Sequence, residues 1–240
     1  MKCYKTDLDN RVIFSPEMQV AELIEADYSL LSVFVRMDMQ LPFGDRSVEE
    51  LCAKYDISAE LFLIICQLYS MSDYVPCTEQ LTPRDLKLLV KYLRASHKFY
   101  AETLLPSIGQ GVDAVLGRCS ERERAIVKRF YGDYFDEVSA HLEYEEQHLF
   151  PYVERLAEGG DVTQVGVVDL MDDHTDICDK IGDIKSILIK YLPEECSTRE
   201  RYDLLCDVFR LCEELEKHTL VEVRILMPVM AEMERRLGNA

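Results

Sequence analysis

Residues 211–233 read LCEELEKHTLVEVRILMPVMAEM, and their periodicity decides the fold. Leu211, Leu215, His218, Glu222, Ile225, Val229 and Met233 recur at steps of three and four, the spacing of one buried helix face. A histidine and a glutamate therefore interrupt an otherwise apolar seam. The same occurs upstream, where Val138, His141, Glu145, His148, Leu149, Tyr152 and Leu156 share one side of a helix. Leu170, His174, Cys178 and Ile181 form a third such series, and Leu89, Leu93, His97, Tyr100 and Leu104 a fourth.

Start and stop signals frame these stripes as four helices. Thr82-Pro83-Arg84-Asp85 places Thr at the N-cap and Pro at the first helical position. Ser120-Glu121-Arg122-Glu123 and Ser197-Thr198-Arg199-Glu200 read as capping boxes, with Asp161-Val162-Thr163-Gln164 a weaker version. Stops fall near Gly117, at Gly159-Gly160, at Leu192-Pro193 and at Gly238. Helices are expected over 83–115, 121–157, 162–191 and 198–236. Short joints make neighbours antiparallel, giving an all-α, up-down-up-down four-helix bundle. The MSDYVPCTEQLTP segment at 71–83 breaks the periodicity with two prolines. It divides a small helical N-terminal domain, 1–75, from the bundle, 82–240.

Composition agrees. Hydrophobic residues make up 48% of the 240, enough to bury a core, and Gly (10) and Pro (8) are scarce. Net charge is −18, with 6 Lys/Arg against 14 Asp/Glu in residues 1–80 alone. Such a surface cannot displace counterions from a phosphate backbone, nor does it suit an anionic membrane. Neither nucleic acid nor membrane is expected as a partner. The nine cysteines are odd in number, irregularly spaced and without a CxxC pair, so no disulfide framework is expected. With no apolar leader in MKCYKTDLDNRVIF, the expected compartment is the reducing cytoplasm.

Helix rise converts the stripes into heights. At about 1.5 Å per residue, His97, His141, Glu145, His174, His218 and Glu222 all fall roughly 18–27 Å from one end of the bundle. Six polar residues from four helices thus share one layer. Buried carboxylates without compensation cost several kcal/mol, and cations would compensate them. In each HxxxE pair the side chains lie one helical turn apart, so one metal can touch both. Imidazole and carboxylate suit iron or zinc; six ligands exceed one tetrahedral zinc and suit two irons bridged by carboxylates. His148 lies a turn from Glu145, off the centre of the layer, and reads as a ligand, an outer partner or a buried histidine. Cys178 reads as core, an iron ligand or a redox thiol.

These motifs resemble the hemerythrin-like (HHE) family. His141-Leu142-Glu143-Tyr144-Glu145-Glu146-Gln147-His148-Leu149-Phe150-Pro151 is similar to its HxxxEExxLFP signature, and His218-Thr219-Leu220-Val221-Glu222 with Met227-Pro228 repeats it. His97-Lys98-Phe99-Tyr100 with Leu105-Pro106 resembles the first-helix motif, and Asp173-His174 the third-helix histidine, although Thr175 stands where an acidic residue often follows. Four His plus two Glu resembles the RIC branch of di-iron proteins, which repair iron–sulfur centres after nitrosative or oxidative stress. It is less similar to oxygen-carrying hemerythrins, which add a His and end in an Asp ligand. The resemblance implies two non-haem, oxo-bridged irons, with Glu145 and Glu222 as bridges and the four His divided between the metals. It implies NO or O2 as ligand and damaged iron–sulfur proteins as partners. The N-terminal part is similar to the small domain preceding the bundle in RIC proteins, through Val20–Ile24, Phe34 and Ser47–Cys52. There the family carries Cys-Cys before a Gly, whereas this chain has Pro42-Phe43 before Gly44. Residues 47–70 also have helix-turn-helix spacing, which the acidic charge turns from DNA binding toward packing or homodimer formation. One rival reading is a di-iron O2/NO sensor signalling through the N-terminal domain. The other is a helical interaction module with a vestigial site.

Overall fold

The computed structural model describes residues 5–6, 11–117, 119–160, 181–194, 196 and 198–238. Apart from a short antiparallel ribbon of β1 (Lys5–Thr6) and β2 (Val12–Ile13), the described chain is all-α. Its N-terminal helices are α1 (Val20–Ala26), α2 (Leu31–Arg36), α3 (Val48–Lys54) and α4 (Ala59–Ser70). Ser47 and Glu50 close a capping box at the start of α3, and Ser58 accepts from Leu61 N at the start of α4. Aspartates end two of these helices. Asp38 and Asp56 take left-handed backbone (φ 58° and 57°), and Met39 N and Ile57 N reach back five residues to Phe34 O and Cys52 O. Asp tolerates that conformation through its short polar side chain, so it substitutes for the usual glycine cap.

Phe34 is the centre of the small core, packed edge-on to Phe62 at 5.2 Å and tilted against Phe43 at 4.9 Å. Phe43, where the resembled family has a cysteine, is therefore buried packing. Burial pushes the Cys52 thiol up to about 12 and Cys66 well above its ordinary value, so neither is a thiolate at neutral pH. Gln67 completes the core from α4. Its buried amide accepts from Phe14 N at 3.0 Å and donates to Val12 O at 3.1 Å, acting as a surrogate strand beside β2. Gln67→Ala leaves both backbone groups unmatched and should cost about 1–3 kcal/mol in urea unfolding. An unchanged midpoint would show that water replaces the amide without loss.

Three long helical rods follow, with the end of another. The first runs from α5 (Pro83–Phe99) through a π-helical turn (Tyr100–Leu104) into α6 (Leu105–Leu116). The second joins α7 (Glu121–Tyr144), the turn Glu145–Leu149 and α8 (Phe150–Ala157). Residues 181–186, labelled α9, continue into the π turn Ile187–Tyr191. The last rod joins α10 (Thr198–Val221), the turn Glu222–Leu226 and α11 (Met227–Gly238). The expected spans 83–115, 121–157 and 198–236 match these to within two residues. Most of the expected 162–191 helix lies outside the described residues. Thr82 and Asp85 cap α5, with Thr82 N donating to Asp85 Oδ2 at 2.8 Å, and the Ser120–Glu123 box caps α7.

The four π turns share one cause. Each stands immediately before a residue followed by proline: Leu105-Pro106, Phe150-Pro151, Leu192-Pro193 and Met227-Pro228. In each, the pre-proline N–H reaches five residues back, to Tyr100 O, Glu145 O, Ile187 O and Glu222 O. Proline has no N–H and its ring crowds the carbonyl four residues earlier. One extra residue in the turn relieves that crowding; the rod continues past Pro106, Pro151 and Pro228, whereas the chain turns extended at Leu192. Such widened turns recur at functional sites, and two of these begin at Glu145 and Glu222.

The chain divides into two compact units: residues 1–95, 153–161 and 220–240, and residues 96–152 and 162–219. In the first, Arg36 Nη1 donates to Tyr69 Oη (2.8 Å) and Tyr92 Oη donates to the same oxygen (2.6 Å), all three buried. Arg224 Nη1 donates to Tyr74 O at 2.7 Å, holding the 71–83 segment. The second unit buries Leu104, Ile108, Val112, Val138, Leu142, Ile184, Leu188, Leu204, Val208 and Leu211 in one cluster. It also contains a disulfide between Cys119 and Cys196, with Cα atoms 5.6 Å apart. Cysteine spacing therefore misleads here: this pair is brought together by two interhelical joints, not by local sequence. No helix among the described residues is long and apolar enough to cross a membrane.

Candidate metal centre

His97 sits near the end of α5, His141 in the last turn of α7 and His218 in the last turn of α10; Glu145 opens the π turn after α7. All four are buried, Glu145 completely (0% exposed). Glu145 is the hub. Its Oε2 lies 3.0 Å from His97 Nε2 and 3.6 Å from His218 Nε2, and these two nitrogens are 3.3 Å apart. Its other oxygen, Oε1, lies 3.1 Å from His141 Nε2. The carboxylate thus divides its oxygens between two groups of imidazoles.

Burial alone would push the Glu145 carboxyl up. Its hydrogen bonds to His141, His218 and His97 overcome that and hold it well below the usual carboxylate range. The hub is an anion with imidazole nitrogens around it. That arrangement can hold a cation. His97, Glu145 and His218 each offer a ligand atom within 4.8 Å of the others. Ligands bound at about 2.1 Å stand about 3.0 Å apart on an octahedral edge and about 3.4 Å apart on a tetrahedral one. The observed separations of 3.0, 3.3 and 3.6 Å span that range. Two imidazoles and a carboxylate form a donor set suited to iron or zinc.

Aromatic walls hold the imidazoles. Phe150 tilts against the His97 ring at 5.0 Å, and Tyr100 meets His218 edge-on at 5.7 Å. Tyr100 Oη donates to Glu214 O at 3.0 Å, pinning the turn of α10 that precedes His218. Outside the four, Glu146 Oε1 lies 3.0 Å from His97 Nδ1. Residue spacing places Tyr100 on the stripe of His97 but does not point to Glu146, for which the Glu145-Glu146 pair is the nearest signal.

Of the six residues expected from the sequence, the structure thus gathers His97, His141, Glu145 and His218. Glu222 is buried one helical turn after His218 on the same rod, in the other compact unit. His174 and Cys178 lie outside the described residues. His148 is exposed, stacked on Tyr144 at 4.6 Å with Nδ1 3.1 Å from Tyr144 O. It faces away from the centre.

Residues 88–205 match the family model of the hemerythrin HHE cation binding domain. The match includes His97, His141, Glu145 and His174, and ends before His218 and Glu222. No curated protein matches the chain.

Proposed function

We propose, from the premise that residues 88–205 form a hemerythrin HHE cation-binding domain, that this chain is a non-haem di-iron protein handling iron for damaged iron–sulfur centres under nitric oxide or oxidative stress. Domains of this family bind iron, and the buried His/Glu group offers it ligands. One observation carries the two-metal reading. The oxygens of Glu145 face different imidazoles, Oε2 toward His97 and His218 and Oε1 toward His141. A carboxylate so placed could hold two cations at once, one through each oxygen. His174 and Glu222 complete the proposed set of six, with residues 82–240 as the metal-holding domain and 1–75 as its N-terminal partner. Iron held there would offer open coordination positions to a small diatomic ligand, NO or O2. The chain's own residues orient the ligands: Phe150 and Tyr100 exclude water from the imidazole faces.

Elemental analysis of protein from iron-replete cells should give about two irons per chain; one zinc or no metal would sink this reading. Repair further requires release. The reduced protein should supply iron to an apo iron–sulfur protein faster than free ferrous iron does against a competing chelator, and Glu222→Leu should not.

One contact favours a second reading, an O2/NO sensor. Arg224, two residues after Glu222 in the same π turn, donates to Tyr74 O in the 71–83 segment. A shift of that turn has a direct route to the linker. If iron stays bound while NO changes proteolysis at 71–83, sensing replaces repair.

A further inference from the structure

We infer that Glu146 is a positioning residue that fixes the orientation of the His97 ring and thereby sets how tightly the centre holds iron, an inference resting on the metal-binding reading above. The ring of His97 has two nitrogens and two carboxylates. Nε2 lies 3.0 Å from Glu145 Oε2 and 3.3 Å from His218 Nε2, where the ligand atoms converge. Nδ1 lies 3.0 Å from Glu146 Oε1. Consecutive glutamates thus grip opposite ends of one imidazole, the buried one on the metal side and the partly exposed one (36%) on the other.

A carboxylate only accepts hydrogen bonds, so Nδ1 donates its proton to Glu146, and a cation bound between Nε2 and Glu145 would displace only the proton on Nε2. That leaves the Nε2 lone pair to the metal. The alternative, a ring flipped by 180°, would put Cε1 in the place of Nε2 at the ligand cluster and Cδ2 in the place of Nδ1 against Glu146. Phe150 on one side of the ring, at 5.0 Å, restricts tilting but does not distinguish the two ring orientations. Hydrogen bonds choose between them, and Glu146 accepts the one from Nδ1, which persists when a metal takes Nε2. The negative charge behind the ring also makes Nε2 a stronger donor to a cation.

His141 and His218 have different surroundings. His218 is braced by the ring of Tyr100. At His97 a partly exposed side chain can tune the hold on metal, and a substitution of Glu146 reaches the centre without disturbing its core.

Such outer partners are worth about 10- to 100-fold in metal affinity. The full chain, loaded anaerobically with ferrous iron, should be challenged with excess chelator. Glu146→Ala should lose iron about 10- to 100-fold faster than the parent. Glu146→Gln, whose amide oxygen still accepts from Nδ1–H, should recover most of the retention. In the metal-free protein, the slowly exchanging His97 Nδ1 proton should be seen by NMR in the parent and in Glu146→Gln, and vanish in Glu146→Ala. The thermal midpoint of the metal-free chain should not move. Equal iron loss from parent and Glu146→Ala would overturn the inference while leaving the metal centre standing. Equal failure of the Ala and Gln variants would also overturn it, since charge rather than orientation would then be responsible. A parent that holds no iron would overturn the metal reading itself.

Discussion

Glu145→Ala should strip most of the iron from the protein, while His148→Leu should leave iron content nearly intact. The contrast follows from position. Glu145 is wholly buried and meets three imidazoles through two oxygens, so its removal takes ligand atoms from both sides of the proposed pair. It also removes the anion that balances cations in a site remote from water, where uncompensated charge costs several kcal/mol. His148 shares the helical stripe but lies exposed, its ring on Tyr144. Truncation of a buried side chain can lower iron content merely by loosening the fold. Glu145→Gln controls for that, because it keeps the volume and removes the charge; it should lose iron nearly as fully. Iron per chain is the measurement. Equal loss in the Glu145 and His148 variants would make His148 a ligand and overturn the assignment.

The second large effect is on stability. Cys119 and Cys196, 77 residues apart in sequence, close a loop that includes α7, α8 and α9. In the chain-entropy account, a cross-link of that span removes about 4 kcal/mol of freedom from the unfolded chain. A chain of this length responds with about 2–4 °C per kcal/mol, so the Cys119→Ser variant should melt about 8–16 °C lower. Reductant should lower the parent by a similar amount and leave the variant unchanged. Both sulfurs are buried, so the reduced chain still packs two thiols there. A Cys119–Cys196 peptide should appear in non-reducing digests; its absence together with an unshifted variant would sink the prediction. Disulfides persist in oxidising surroundings. The pair therefore withdraws cysteine spacing as an argument for a reducing compartment.

Helix positions were legible because their causes are local. The Thr82–Asp85 and Ser120–Glu123 caps, the Gly159 and Leu192-Pro193 stops and the three-four spacing each act within a turn or two, and the rods begin and end where they say. The layer of His97, His141, Glu145 and His218 was legible for the same reason. Helix rise is constant, so sequence distance from a cap becomes height in the bundle. Four other features needed tertiary structure. Which oxygen of Glu145 faces which imidazole depends on side-chain torsions set by neighbouring rods, not on spacing. The partnership of Glu146 with His97 joins residues 49 apart, across two rods whose rotation no single stripe records. Cys119 and Cys196 meet only because two interhelical joints converge, whereas His148, on the right stripe, turns outward because a stripe gives an angle and not an environment. Sequence determined the rods and the height of the centre on them. Packing between rods decided which side chains meet there, because contact depends on relative rotation and separation, and neither is a property of one helix alone.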